Sequence, residues 1–189
     1  MPKSIVIFAS GSGSNAENII ATLHPDQVHV SAVYCNNAQA GVIDRCQKWG
    51  VPVRLFENGD LNPEGKVLQY LHQDQPQLLV LAGFLRRIPA HILTEFKTIN
   101  LHPALLPKFG GKGMFGHHVH QAVLSAKESQ SGITFHWVNE AYDEGAVIAQ
   151  FSCAIDPDET ALSLANKIHE LEHEHFPKIL SSVLQTISE

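Results

Sequence analysis

Short runs of apolar, mostly β-branched residues recur along this chain, and a stretch with helical spacing separates each run from the next. Ser4-Ile5-Val6-Ile7-Phe8 reads as a strand buried on both faces. Gly11-Ser12-Gly13-Ser14 follows as a turn, then Asn15 to Leu23 as a helix with Ile19, Ile20 and Leu23 on one side. Strand signals return at Val28 to Tyr34, Val51 to Phe56, Leu78 to Leu81 and Thr98 to Leu101. Helix signals fall between them at Gly41 to Trp49, Pro63 to His72 and Ala90 to Phe96. Such alternation predicts an α/β, Rossmann-like, doubly wound sheet whose parallel strands are joined by crossover helices. After Gly132 the pattern changes. Ile133 to Val138 and Ala146 to Ile155 read as strands joined by a short acidic turn, so the mostly parallel sheet is expected to end in an antiparallel C-terminal hairpin.

From Thr160 to Ile187 the apolar residues Leu164, Ile168, Leu171, Ile179, Val183 and Ile187 keep the spacing of one long helix face. Asp158 or Thr160 is placed to cap its start, and Pro177 is expected to kink or divide it. With no internal repeat and no low-complexity linker, one domain over residues 1–189 is the simplest organisation.

Charge and cysteine usage narrow the function classes. The formal net charge of −6 offers no general footprint for a phosphate polymer, so nucleic acid is not an expected partner. Cys35, Cys46 and Cys153 are odd in number and form no C-x-x-C pair, which points away from a disulfide framework and toward a reducing compartment. The apolar run after Lys3 is too short for a secretory signal, and Leu78 to Leu85 is far shorter than a membrane span. A cytoplasmic protein with no membrane partner is expected.

Four segments could carry chemistry. Gly11-Ser12-Gly13-Ser14-Asn15-Ala16 lies where a strand hands over to a helix, where freed backbone N–H groups make an anion site. The string also fits the G-x-G-x-x-A dinucleotide fingerprint. That fingerprint requires an acidic residue about 20 positions on, and none occurs between Asp26 and Asp44, so a phosphomonoester suits the loop better. The same string serves equally as a tight turn whose helix is capped by Ser14 or Asn15.

Asn100-Leu101-His102-Pro103 ends the fifth strand signal. Alternation puts Asn100 and His102 on one side, at the carboxyl end of a parallel strand where open α/β sheets place ligands. An amide that can stabilise an oxyanion beside an imidazole that can move a proton is what acyl transfer needs. The alternative is a strand-end histidine bonded to a backbone carbonyl. In Asn139-Glu140-Ala141-Tyr142-Asp143-Glu144-Gly145, Asp143 could pair with an imidazole and raise its pKa, or the turn could be solvated surface. His169-Glu170-Leu171-Glu172-His173 spells H-E-x-x-H, but Leu171 lies on the apolar stripe between the two histidines, and a polar helix explains the match without zinc. His117-His118-Val119-His120 follows a glycine-rich segment, Phe109 to Gly116, and reads as flexible His-rich surface beside a loop able to act as a lid.

In chain order, Gly11 to Asn15, Leu81-Ala82-Gly83-Phe84-Leu85-Arg86, Asn100 to Lys108, Gly132-Ile133-Thr134-Phe135-His136 and Asp143 to Ile148 resemble the glycinamide ribonucleotide formyltransferases, folate-dependent enzymes of purine synthesis. The resemblance implies the formyltransferase fold and a catalytic trio at Asn100, His102 and Asp143. It also implies phosphate contacts at Gly13, Ser14 and Asn15, and an acidic contact at Glu172 to the glycinamide or ribose part of the substrate. Folate contacts would come from Leu85, Arg86, Arg87 and Ile88 and from Asn139 and Glu140. The implied co-substrates are glycinamide ribonucleotide and 10-formyltetrahydrofolate, with no metal, acting on a monomer or homodimer.

Two departures stand out. Phe109 to His120 is longer and richer in glycine than in the better-known members, and Arg87 occupies a place where an apolar side chain is expected. If folate is held there by main-chain groups, Arg87 should matter little to its binding. Competing readings are a 10-formyltetrahydrofolate hydrolase, which usually has an extra N-terminal domain, and a methionyl-tRNA formyltransferase, which has an added C-terminal one. A non-catalytic nucleotide-binding module is the third.

Overall fold

The computed structural model describes residues 2–187. One seven-stranded sheet runs through it, formed by β1 (Lys3–Ala9), β2 (Val28–Cys35), β3 (Val53–Leu55), β4 (Leu78–Leu81), β5 (Thr98–His102), β6 (Gln130–Trp137) and β7 (Val147–Ala154), in the order β3-β2-β1-β4-β5-β6-β7. The first five are parallel. β6 then pairs antiparallel with both β5 and β7. The expected α/β architecture is therefore the observed one, with β3 three residues shorter than its apolar run: Val53 to Leu55 pair in register with β2, and Pro52 and Phe56 add single backbone hydrogen bonds at its ends.

Alternation in β1 explains why its residues are apolar from Ile5 to Ala9. Ile5, Ile7 and Ala9 join one core with Ile19 and Ile20 of α1 (Ser14–Leu23) and with Leu164, Ile168 and Phe176 of α6 (Ala161–Thr186). Val6 and Phe8 join the opposite core with Val67 and Leu71 of α3 (Lys66–Asp74) and Ile92 of α4 (Ala90–Glu95). A strand covered on both faces has no polar side to display. The remaining helices are α2 (Val42–Lys48) and α5 (His117–Ser125), with a short 3-10 turn at Asn58–Leu61 that the periodicity did not indicate.

Two expectations are corrected. Helix α6 is continuous through Pro177. The proline removes the amide that would bond the carbonyl of His173, and Asn18 of α1 donates its Nδ2–H to that carbonyl at 2.9 Å. The neighbouring helix thus supplies the missing hydrogen bond. Second, His117 to His120 is surface only in part: it forms the first turn of α5, with His117 and His118 exposed and Val119 and His120 buried. Thr160 caps α6 as expected, its hydroxyl accepting from the Ser163 amide at 3.1 Å. No helix among the described residues is long and apolar enough to cross a membrane.

Candidate active site

A cavity of about 880 Å³ opens along the carboxyl ends of β1, β4 and β5, where parallel strands give way to antiparallel ones. Its walls follow from the two-sided core. On the α1 and α6 side stand Asn15, Ile168, His169 and Glu172; on the α4 side stand Leu85 to Ile88, with Val138 and Asn139 from the β6–β7 connection.

The Gly11-Ser12-Gly13 turn is shaped by close approach. Gly13 has φ +76°, and a Cβ there would lie 2.4 Å from the Val42 side chain. Only glycine fits both the left-handed backbone and the contact. The Gly11 carbonyl accepts from the Val42 amide at 3.2 Å and the Ser12 carbonyl from Arg45 Nε at 2.9 Å, so the turn's acceptors are engaged by α2. Neither Ser14 nor Asn15 caps α1. Gly13 is the N-cap, no side chain bonds the first turn, and Ser14 and Asn15 line the cavity. This corrects the expected side-chain cap and leaves the helix start facing the cleft. Asn15 instead donates to Glu172 Oε2 at 2.9 Å, and His169 Nδ1 lies 3.3 Å from the same oxygen. That contact raises the pKa of His169. The H-E-x-x-H segment is thus a wall of the cavity, and the described residues contain no group of three or more His, Cys, Asp or Glu gathered around a metal-sized point.

At the centre, Asn100 and His102 project from β5 as the alternation predicts, and the β6–β7 connection brings Asp143 to them. Asn100 Nδ2 lies 3.4 Å from Asp143 Oδ1, and His102 Nδ1 lies 3.5 Å from Oδ2. Asp143 has φ +57°, a left-handed conformation that an aspartate tolerates better than most residues. Gly110 sits against it, where a Cβ would come within 3.2 Å of the Asp143 Cβ, and the Gly111 amide donates to Oδ2 at 2.9 Å. The glycine-rich segment therefore packs on the carboxylate rather than hanging free.

His136 joins the centre, and the strand reading did not single it out. It pairs opposite Asn100 across β5 and β6. Its Nδ1 is 2.9 Å from the Trp137 carbonyl, which fixes the proton there and leaves Nε2 to accept from Asn100 Nδ2 at 3.0 Å. The Thr134 and His136 alternation was a signal in the sequence, but only the β5–β6 register shows which amide the imidazole meets. His120 is the other addition: it lines the cavity, is buried, and its Nδ1 has no partner among the described residues.

Burial lowers the pKa of His102, and the opposing effects of Asp143 and the Phe109 carbonyl do not cancel it. The sequence expectation was a raised pKa. The structure reverses the direction because the imidazole is 3% exposed while Nδ1 and the carboxylate stand beyond hydrogen-bond reach. The other nitrogen, Nε2, is 2.8 Å from the Phe109 carbonyl, so the strand-end histidine bonded to backbone is also realised. Burial alone would push the Asp143 carboxyl up, yet it sits below its usual range through its imidazole and amide neighbours. The lowering comes from His136 first, at 3.6 Å, then from His102 and the Gly111 amide.

Of the remaining sequence candidates, Leu85, Arg86, Arg87, Ile88 and Asn139 all line the cavity. Glu140 does not: it is exposed and lies outside the lining formed by its neighbours Asn139, Ala141 and Tyr142. The β4 loop is fixed by Ser10, whose amide donates to the Gly83 carbonyl at 3.1 Å and whose hydroxyl accepts from the Leu85 amide at 3.1 Å.

Fold and site together define an α/β protein that gathers an amide, an imidazole and a carboxylate beside an uncapped helix start in one cleft. The formyl transferase family model matches residues 3–180, and the chain belongs to that family. Phosphoribosylglycinamide formyltransferase of Bacillus subtilis (strain 168) is 34% identical over 96% of this chain and 95% of its own length. The chloroplastic phosphoribosylglycinamide formyltransferase of Vigna unguiculata is 31% identical over 97% of this chain, which spans only 61% of that relative. Among solved structures, glycinamide ribonucleotide transformylase 1 from Geobacillus kaustophilus superposes with a TM-score of 0.87 at 34% identity, covering 97% of this chain and all (100%) of that one.

Proposed function

We propose that this chain, as one formyltransferase domain over residues 1–189, transfers the formyl group of 10-formyltetrahydrofolate to the primary amine of glycinamide ribonucleotide. The products are formylglycinamide ribonucleotide and tetrahydrofolate, a step of de novo purine biosynthesis in the cytoplasm. The observation that carries this reading is the convergence of Asn100, His102 and Asp143 on a cavity that also receives the Gly13–Asn15 helix start. Relatives named for this reaction support it.

Glycinamide ribonucleotide would set its phosphate on the amides of Gly13, Ser14 and Asn15, with Glu172 facing its ribose and glycinamide end. The folate would lie along Leu85 to Ile88 and Asn139, bound largely through main-chain groups. The amine attacks the formyl carbon and forms the new C–N bond, leaving a tetrahedral oxyanion for the Asn100 amide to stabilise. His102, held neutral by burial, can accept the proton released by the attacking amine. Its Nε2 donates to the Phe109 carbonyl, so Nδ1 takes the proton; the imidazolium is stabilised by Asp143 beside Nδ1 and returns the proton from there to the folate nitrogen as the old C–N bond breaks. No metal or covalent enzyme intermediate enters these steps, and holding both reactants in one cleft supplies much of the acceleration.

The test is folate turnover measured with and without glycinamide ribonucleotide. Turnover that requires the amine is the expected result. Formate release without it would establish the hydrolase, and binding of both ligands with no turnover would leave a nucleotide-binding module.

A further inference from the structure

Ser10 stands between β1 and the glycine turn, is buried, and has every polar group engaged by another segment. Its amide donates to the Gly83 carbonyl at 3.1 Å, and its carbonyl accepts from Asn37 Nδ2 at 3.5 Å. The hydroxyl works in both directions: it donates to Asn36 Oδ1 at 2.7 Å and accepts from the Leu85 amide at 3.1 Å. Asn36 is held in turn, its Nδ2 donating to Asn58 Oδ1 at 2.9 Å. With the hydroxyl hydrogen taken by Asn36, the oxygen presents its lone pairs to Leu85. The ends of β1 and β2 thus fix the Leu85 amide in the loop that follows β4.

That amide is the last tethered atom before a free run of backbone. The Ala82 amide donates to the Phe8 carbonyl at 2.9 Å and the Phe84 ring packs 5.2 Å from that of Phe8, so the loop is anchored as far as Leu85. Arg86, Arg87 and Ile88 then line the cavity, and among the described residues their main-chain groups make no hydrogen bond. Their N–H and C=O groups are left for a ligand, and Ser10 Oγ sets where the run begins. On its other side Ser10 is followed by Gly11, which opens the turn leading to the α1 start in the same cleft. One buried serine is therefore a single peptide bond from the turn read as the phosphate site and a single hydrogen bond from the loop read as the folate site.

We propose that Ser10 is a positioning residue that couples the two substrate sites: its hydroxyl holds the folate-side loop, and because the same residue leads into the phosphate turn, each substrate tightens the binding of the other. The assignment rests on the formyl-transfer reading and adds a fixed link between the two halves of the cleft. A ligand that orders either segment also orders Ser10, so the second ligand meets a site already ordered in part. Ser10 touches no reacting atom in this arrangement, and the link acts on affinity rather than on the chemical step.

The experiment titrates tetrahydrofolate, the unreactive product, by equilibrium binding with and without saturating glycinamide ribonucleotide, and measures steady-state kinetics with both substrates varied. In the unmodified protein the ribonucleotide should tighten tetrahydrofolate about five- to tenfold, the lower end of coupling between sites. Ser10→Ala removes the acceptor for the Leu85 amide and keeps the main-chain bonds. Tightening should then fall below about twofold and KM for the formyl donor should rise roughly five- to tenfold, with kcat changed by no more than about threefold. Asn36→Ala, which frees the hydroxyl hydrogen, should move both values the same way, whereas Asn36→Asp, which keeps an acceptor for it, should restore them. A purely structural role would lower the unfolding temperature without this split between KM and kcat and without repair by Asn36→Asp. No tightening in the unmodified protein, or full tightening retained in Ser10→Ala and Asn36→Ala, would overturn the coupling while leaving formyl transfer intact. Absence of amine-dependent transfer in the unmodified protein would instead overturn the reading on which it rests.

Discussion

His102 Nδ1 faces Asp143 Oδ2 at 3.5 Å, a separation at which the carboxylate acts on the imidazole through charge more than through a shared proton. If that relationship matters only when the imidazole becomes charged during reaction, removing either partner should slow turnover without loosening the substrates. His102→Asn and Asp143→Asn are each expected to lower kcat by about 10²- to 10⁴-fold with KM changed by no more than a few-fold. Near-normal kcat in either variant, measured by steady-state kinetics with both substrates varied, would remove that residue from its role.

The direction of the His102 shift predicts how stability depends on pH. Burial holds its folded pKa below the ordinary 6.5, so on acidification the unfolded chain takes up the proton first. The corresponding stability is complete above pH 6.5 and is lost as pH falls through the folded value. Asp143, also lowered but from 3.8, loses its share only in stronger acid. Urea unfolding of the unmodified protein and of His102→Asn should therefore give a stability difference that shrinks below pH 6.5, by at most about 1.4 kcal/mol per pH unit. A difference that stays constant or grows would mean that Asp143, not burial, dominates.

Asn18 is predicted to matter through Pro177. Asn18→Ala leaves the His173 carbonyl without its donor and should cost about 1–2 kcal/mol in equilibrium unfolding. With Pro177→Ala in place, the restored amide can serve the same carbonyl, so Asn18→Ala should then cost less than half as much. Equal costs in both backgrounds would show that the two residues are not coupled.

Gly13→Ala combines a strained backbone with overlap on Val42, and a destabilisation of about 2 kcal/mol or more is expected. The turn should also shift, so KM for the phosphate-bearing substrate is expected to rise at least tenfold while KM for the folate donor moves far less. Unfolding and kinetics together check this, and an unaltered phosphate-substrate KM would separate the turn from that ligand.

Much of this architecture was legible because β1 is apolar at every position from Ile5 to Ala9 and the helices between strands keep their periodicity. The misreadings share a cause. Pro177 looks like a helix break until Asn18 is brought beside it, and His117 to His120 looks like loose surface until Val119 and His120 are buried under α6. His136 stands in a strand whose polar side could be read, but not the register that sets it opposite Asn100. Each depended on a contact between distant parts of the chain. The trio is what the resemblance implies, with strand alternation placing Asn100 and His102 on one side. Its geometry, including the lowered rather than raised pKa of His102, required the packing.

The glycine-rich segment ties two of its main-chain groups to this chemistry: the Phe109 carbonyl to His102 Nε2 and the Gly111 amide to Asp143 Oδ2. A reactant that recruits either atom must first win it from the backbone. Affinity and rate therefore become properties of a stretch that supplies no reacting side chain. Substitutions between Lys112 and Gly116 are expected to retune the site while Asn100, His102 and Asp143 all stay in place.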